Sequence, residues 1–260
     1  MKANRFKEVL AAGKVPVGHM IVEFNVRGIA KMLEGAGVDF VVVDMEHGTF
    51  DVREVADLVA WFKATPIAPF VRVPELTCSF IARALDTGAL GVMVPNVKTA
   101  SQAKAVVDAA KYRPVGRRGL TFASAVNDYK DVDACVYMDR ANETTTVICQ
   151  IESGEALEEL DGIAATPGVD VLWVGQFDLT TSMGIPGAFG DRRFVEALRR
   201  VAAAAKRHRK AAAIQSSSVA RLEEWSAMGF NVLSYQDDGS AYLEAMTRGV
   251  TEVRARAGRR

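Results

Sequence analysis

Cysteine is scarce in this chain: Cys78, Cys135 and Cys149 form no CxxC pair and no zinc-ligand spacing. An odd, sparse set does not build a disulfide scaffold and fits a reducing compartment. Net charge is absent as well, because 32 Lys and Arg balance 32 Asp and Glu. No excess of one sign therefore draws in nucleic acid or an anionic membrane. No apolar run approaches the roughly 20 residues of a membrane-spanning helix. The opening MKANRFKEVLAAG is charged and amphipathic and lacks the apolar stretch of a secretory signal. A soluble cytoplasmic protein is the expectation. The one local excess of charge, Arg254, Arg256, Arg259 and Arg260, reads as a solvated helix end, where cations complement the helix dipole. No aromatic or Gly-rich recognition pattern accompanies it, so it does not argue for nucleic acid.

Two further absences narrow the fold. No low-complexity linker divides the chain, and no Gly-rich dinucleotide fingerprint follows the first strand. What is present is strand alternating with helix. Strands are predicted over Val15–Val22, Asp39–Asp44, Ile67–Val73, Gly91–Pro95, Thr146–Ile151, Val169–Gly175, Lys210–Gln215 and Asn231–Tyr235. Runs such as Phe40-Val41-Val42-Val43 and Val171-Leu172-Trp173-Val174 suit parallel strands buried on both faces. Helical patterns lie between, over Arg27–Gly35, Val52–Lys63, Phe80–Thr87, Ser101–Lys111, Gly154–Leu160, Arg192–Arg209, Val219–Met228 and Ser240–Arg256. Gly35, Gly88 and Gly229 stand where helices should stop. Eight strand–helix pairs in 260 residues predict one α/β domain over 1–260, a (β/α)8 TIM barrel; a doubly wound open sheet is the runner-up. The segment Pro114–Thr145, with Gly116-Arg117-Arg118-Gly119, is too long for a plain connection and reads as functional or flexible.

Barrel enzymes carry their chemistry at the C-terminal ends of the strands. There the sequence puts Asp44-Met45-Glu46-His47-Gly48 after strand 2, Arg72 at strand 3, Gln150-Ile151-Glu152 at strand 5 and Gly175-Gln176-Phe177-Asp178 at strand 6. Asp86, on the helix before strand 4, is grouped with them. Glu152 and Asp178, on adjacent strands, suit a divalent ion that keeps open positions. The competing explanation is that each caps the helix that follows it. His47 has the titration range for proton transfer near neutrality. His19, inside strand 1, and His208, in a basic run, are assigned to structure. Arg72 either pairs with a carboxylate such as Glu46 or stabilises a substrate oxygen that gains charge. No predicted strand carries a Lys in its interior or at its C-terminal end, which argues against Schiff-base chemistry.

The ordered series Gly35-Ala36-Gly37-Val38-Asp39-Phe40 into Asp44-Met45-Glu46-His47, Val71-Arg72-Val73-Pro74, Ala84-Leu85-Asp86-Thr87-Gly88-Ala89, Val92-Met93-Val94-Pro95, Lys111-Tyr112-Arg113-Pro114, Gln150-Ile151-Glu152 and Gly168-Val169-Asp170 to Asp178-Leu179 resembles the HpcH/HpaI aldolase family. These are class II pyruvate aldolases, among them 4-hydroxy-2-oxoheptanedioate and 2-dehydro-3-deoxyglucarate aldolases. The resemblance implies an aldehyde-lyase that cleaves a 4-hydroxy-2-oxo acid to pyruvate and an aldehyde with Mg²⁺, Mn²⁺ or Co²⁺. It implies Glu152 and Asp178 as metal ligands, His47 as acid/base oriented by Asp86, and Arg72 on the keto or enolate oxygen. Gln150, Asp44 and Glu46 would support these groups, and the Gly175 backbone would approach the substrate carboxylate. A homo-oligomer, a hexamer with its C-terminal helix on a neighbour, is also implied. Gln176-Phe177, Met45 and Glu23-Phe24-Asn25 depart from the common family pattern. Phe177 is expected to narrow the pocket and Glu23 to repel an acidic aldehyde. Rival expectations are a citrate-lyase-like acyl-CoA lyase, with Arg117-Arg118 as its phosphate site, an oxaloacetate decarboxylase, and a non-catalytic barrel.

Overall fold

The computed structural model describes residues 2–122 and 124–258, and Arg259 and Arg260 of the basic tail lie outside them. Eight parallel strands close into a barrel in chain order: β1 Val17–Ile21, β2 Phe40–Asp44, β3 Ala68–Arg72, β4 Gly91–Val94, β5 Thr146–Ile151, β6 Val171–Val174, β7 Ala211–Ser216 and β8 Val232–Asp237. The barrel expectation holds, and strand limits shift by at most two residues. Side chains alternate as strand geometry requires. Met20, Phe40, Val42, Phe70, Met93, Ile148, Trp173, Ala213 and Val232 fill the interior. Val41, Val43, Val71, Val92, Cys149, Leu172 and Ile214 face the surrounding helices. Burial on both faces explains why the strands read as continuous apolar runs.

The helices introduced by the sequence form α2 Ile29–Gly35, α3 Val52–Phe62, α4 Cys78–Asp86, α5 Ala100–Ala110, α7 Gly154–Glu158, α10 Arg192–Arg207, α11 Val219–Ala227 and α12 Asp238–Ala257. Gly88 and Gly229 take the left-handed backbone just past their helices, at φ 92° and 110°. For α2 that role falls to Gly37 (φ 82°), and Gly35 is the last helical residue. Four helices were not expected: α1 Arg5–Ala11, α6 Ala134–Thr144, α8 Leu160–Ala165, which lies beyond the expected Gly154–Leu160, and the short α9 Gln176–Ser182. The amphipathic opening folds into α1, whose Phe6 plugs the N-terminal end of the barrel edge-on against Phe40 (5.2 Å) and Phe70 (5.1 Å). Asn4 fastens it, donating from Nδ2 to Thr144 O (2.7 Å) and Thr146 Oγ1 (3.1 Å).

The long segment before β5 packs at this same N-terminal end, away from the expected chemistry. Lys63 Nζ holds it through Ala125 O (2.6 Å) and Asp128 Oδ1 (2.7 Å), and α6 returns the Tyr137 hydroxyl to Val126 O (3.0 Å). α12 does not clothe the barrel as an eighth helix usually does. Only Asp238 of its 20 residues is buried, and Tyr242, Leu243, Met246, Val250 and Val253 are exposed.

Candidate active site

At the C-terminal end of the barrel, β2 and β3 are paired Asp44 against Arg72. Both side chains alternate into the interior, where an unpaired guanidinium would be costly. Arg72 Nε and Nη2 grip Asp44 at 2.8 and 2.6 Å, a two-pronged charged bond. Its Nη1 stands 3.2 Å from Glu46 Oε2, an ion pair without hydrogen-bond alignment. The expected alternative partner, Glu46, is therefore secondary to Asp44. Burial works against the Arg72 charge, but the Asp44 bond, with the fields of Asp44, Glu46 and Glu152, more than offsets it and holds the pKa above its ordinary value. Asp44 also accepts the Glu46 N–H at 3.0 Å and the His47 N–H at 3.4 Å. One buried carboxylate thus sets both the guanidinium and the loop that presents Glu46 and His47.

Glu152 follows β5 and is 4% exposed. Its Oε1 accepts the Asn96 N–H at 2.5 Å, and its Oε2 accepts from Gln150 Nε2. Gln150 Oε1 is buried without a donor. Glu152 does not cap α7, because Ser153 does; Asp178 does not cap α9, whose N-cap position is Gly175 without a side-chain bond. The capping explanation fails for both. Asp178 instead stands exposed on the first turn of α9. Burial raises the Glu152 pKa, with Glu46 and Asp178 adding to the rise against the Asn96 and Gln150 bonds. Burial likewise raises Glu46, Arg72 opposes, and Asp44 and Asp178 push it further. Glu46, Glu152 and Asp178 therefore share one region of negative potential, which Arg72 offsets only in part at Glu46. Two buried oxygens there, Glu46 Oε2 and Gln150 Oε1, have no hydrogen-bond donor. Such a set can accept a bound cation. Among the described residues, no group of three or more His, Cys, Asp or Glu forms a ready metal cage. Any ion would rest on two carboxylates plus substrate or water, the open arrangement expected of a catalytic site.

Gly175 is required by space. A Cβ there would lie 2.4 Å from Glu152 Oε2 and 2.8 Å from Gln150 Nε2. Asn96 was not foreseen; its left-handed backbone (φ 54°) turns its N–H to Glu152. An Asn directly after Pro95 at a strand end is the signal that could have marked it.

His47 stands at the same mouth, largely exposed, with Nε2 3.9 Å from Glu46 Oε2. Asp86 does not join it. α4 runs back toward the start of β4, so its last residue, Asp86, lies at the opposite end of the barrel, bonded to Arg118 Nη2 at 2.6 Å. Within one chain Asp86 cannot orient His47. Phe177 also departs from expectation: its ring is 62% exposed and stacks edge-on against Phe189 at 5.0 Å. It lies on the rim and does not wall the carboxylate cluster. Arg118, one of the two arginines considered for a CoA phosphate, is buried and held by Asp86. His19 is structural as expected, with Nδ1 2.9 Å from Tyr235 O, and His208 pairs with Asp161 at 3.1 Å.

Comparison with known proteins gives a consistent picture. The family model described as HpcH/HpaI aldolase/citrate lyase matches residues 21–245. A 4-hydroxy-4-methyl-2-oxoglutarate aldolase from Hapsidospora irregularis is 33% identical over 255 residues, 92% of this chain and 93% of that one. A 4-hydroxy-2-oxovalerate aldolase from Novosphingobium aromaticivorans is 37% identical over 208 residues, 78% of each. Among solved structures, an HpcH/HpaI aldolase from Desulfitobacterium hafniense superposes with a TM-score of 0.92 at 30% identity, covering 96% of this chain and 97% of that one.

Proposed function

Because the chain belongs to the HpcH/HpaI aldolase/citrate lyase family, we propose that it is a class II aldolase that reversibly cleaves a 4-hydroxy-2-oxo acid to pyruvate and an aldehyde. The observation that carries this reading beyond family membership is the pairing of a buried, Asp44-clamped Arg72 with three carboxylates at one mouth of the barrel. That is a fixed donor beside a cation-seeking pocket. Glu152 and Asp178 would hold a divalent ion such as Mg²⁺, Mn²⁺ or Co²⁺, which when bound supplies Lewis-acid polarisation of a 2-oxo group.

Arg72 donates to the oxygen that becomes negative as the enolate forms, with Asp44 keeping the guanidinium in place before the reaction begins. Gln150 and the Asn96 N–H hold Glu152, the missing Cβ at Gly175 leaves Glu152 and Gln150 their room, and the Gly175 backbone is the group that would meet the substrate carboxylate. His47 carries the C4 hydroxyl proton during cleavage, within reach of Glu46. The acyl-CoA alternative is weakened, since Arg118 is buried and paired with Asp86 at the opposite end of the barrel, and the exposed Arg117 beside it is at that end too. Oxaloacetate decarboxylation passes through the same enolate and is expected as a side activity.

The reading extends to assembly and setting: one barrel domain over 1–260, working in the cytoplasm as a homo-oligomer, a hexamer. The exposed apolar positions of α12 support its packing on a neighbouring chain. Among the described residues no helix is long and apolar enough to cross a membrane. The test of the function is pyruvate release from a panel of 4-hydroxy-2-oxo acids with and without added metal, in the wild type and Glu152→Gln. Metal-dependent release lost in the variant supports the assignment, and metal-independent release overturns it. A 28.1 kDa species in light scattering would overturn the oligomer.

A further inference from the structure

The 2-oxo acid groups stand on β2, β3, β5 and β6, which leaves the arc β7, β8, β1 to face the other half of the substrate. Ala211 and Ala213 of β7 line the barrel interior, so Gln215, two residues on, lies on the same face at the mouth. Its orientation is set from β8. There the register against β1 slips, Gly18 opposing Ser234 but Met20 opposing Asp237, so β8 holds one extra residue. The slip is taken up at Gln236, a buried non-glycine with left-handed φ of 54°. Strain of this kind persists only where its surroundings over-determine it. Gln236 O accepts Gln215 Nε2 at 3.1 Å, and Gln236 Nε2 is tied to Glu244 on α12. One Nε2 hydrogen of Gln215 is committed to Gln236 O, which fixes the amide with Oε1 available as an acceptor and the second N–H as a donor.

The charges along this arc are mostly acidic. Glu23 follows β1, and Asp237 and Asp238 end β8. The Asp238 carboxylate accepts the N–H groups of Val22, Glu23 and Phe24, pinning the Glu23 loop beside the mouth. The cations nearby are Arg27, which is exposed, and Arg221, which stacks over the Phe189 ring at 4.9 Å. The acidic charge of Glu23 and Asp237 disfavours a second carboxylate here, while the fixed Gln215 amide can bond a hydroxyl.

We infer that Gln215 selects the aldehyde: the substrate half released with pyruvate is an uncharged hydroxyaldehyde whose hydroxyl donates to Gln215 Oε1. This inference rests on the aldolase reading and deepens it. It also separates the chain from relatives on either side. The substrate named for the Hapsidospora enzyme, 4-hydroxy-4-methyl-2-oxoglutarate, ends in a carboxylate at C5, and that named for the Novosphingobium enzyme, 4-hydroxy-2-oxovalerate, ends in a methyl.

The test uses three two-carbon acceptors with pyruvate and added divalent metal: glycolaldehyde, acetaldehyde and glyoxylate. The purified full-length enzyme should favour glycolaldehyde over acetaldehyde by about tenfold in kcat/KM, the scale of one neutral hydrogen bond, and should use glyoxylate least. Gln215→Leu and Gln215→Met should each bring the glycolaldehyde-to-acetaldehyde ratio near one; Met guards against misfolding of the Leu variant. An unchanged ratio in both variants overturns the inference, as does a wild type that prefers glyoxylate. Hydrogen–deuterium exchange at pyruvate C3 in the wild type tells the two levels apart. Exchange without hydroxyl preference overturns this inference alone, and absence of exchange overturns the aldolase reading beneath it.

Discussion

Gly175→Ala should disable the site by moving one side chain. The backbone at Gly175 is φ −84°, ψ 87°, so the substitution does not demand a glycine-only conformation. The obstacle is space: the new Cβ would lie 2.4 Å from Glu152 Oε2, 2.8 Å from Glu152 Cβ and 2.8 Å from Gln150 Nε2. Glu152 must retreat by at least half an ångström to reach tolerable contact, yet Asn96 and Gln150 both hold it in place. Overpacking of this kind typically costs about 1–3 kcal/mol. In a chain of this size that lowers Tm by roughly 2–4 °C for each kcal/mol. The catalytic loss should be larger than the loss of stability suggests, because a displacement near 1 Å can cost about 10²-fold. Gly190→Ala, at a glycine with open space around it, is the control. The assays are metal titration by calorimetry and metal-dependent pyruvate release. Gly175→Ala with wild-type metal affinity and turnover would refute the placement of Glu152 at the working centre.

Glu152→Gln and Asp178→Asn should each abolish metal-dependent turnover with unchanged circular dichroism, since each removes a ligand and a compensating charge; wild-type metal affinity in either would remove that residue from the site. His47→Ala should lower aldol cleavage by about 10²–10⁴-fold while oxaloacetate decarboxylation, which needs no hydroxyl proton removed, falls less; equal losses in the two assays would deny His47 a proton-transfer role. Buried Lys111, bonded to Asn142 O, has its pKa lowered by desolvation to about 8, with Asp170 opposing the shift. The folded state therefore binds fewer protons than the unfolded state between about pH 8 and 10.5, and the Lys111 contribution grows as pH rises through that window. The urea stability of wild type minus Lys111→Met should increase from pH 7 to pH 10, and a constant or falling difference would contradict the assignment.

Much of this was legible in the residues. Buried-on-both-faces strands such as Phe40–Val43 announced a parallel sheet, and eight of them announced a barrel. The strand ends carrying Asp44, Arg72, Gln150 and Glu152 followed from the alternation of side chains. Helix capping could not be weighed from sequence, because whether Ser153 or Glu152 caps α7 depends on a backbone turn. Asp86 was misplaced for a topological reason: a helix in this fold returns the chain to the N-terminal end, so a residue at its end is far from the mouth. Phe177 was misjudged because adjacency to Asp178 says nothing about direction on a helix, where neighbours diverge by about 100°. Asn96 and Gln236 act through left-handed backbone, which composition and periodicity do not reveal. The role of α1 required knowing that Phe6 meets Phe40 and Phe70, a contact between residues far apart in sequence.

The central claim is that Glu152 and Asp178 support metal-dependent formation of the pyruvate enolate beside Arg72. It is tested most directly by following hydrogen–deuterium exchange at pyruvate C3 by NMR, first after chelation and then with Mg²⁺, Mn²⁺ or Co²⁺ restored, in the wild type and Glu152→Gln. The account predicts exchange in the wild type only when metal is present, and none in the variant. Exchange that persists after chelation, or at the wild-type rate in Glu152→Gln, would contradict it.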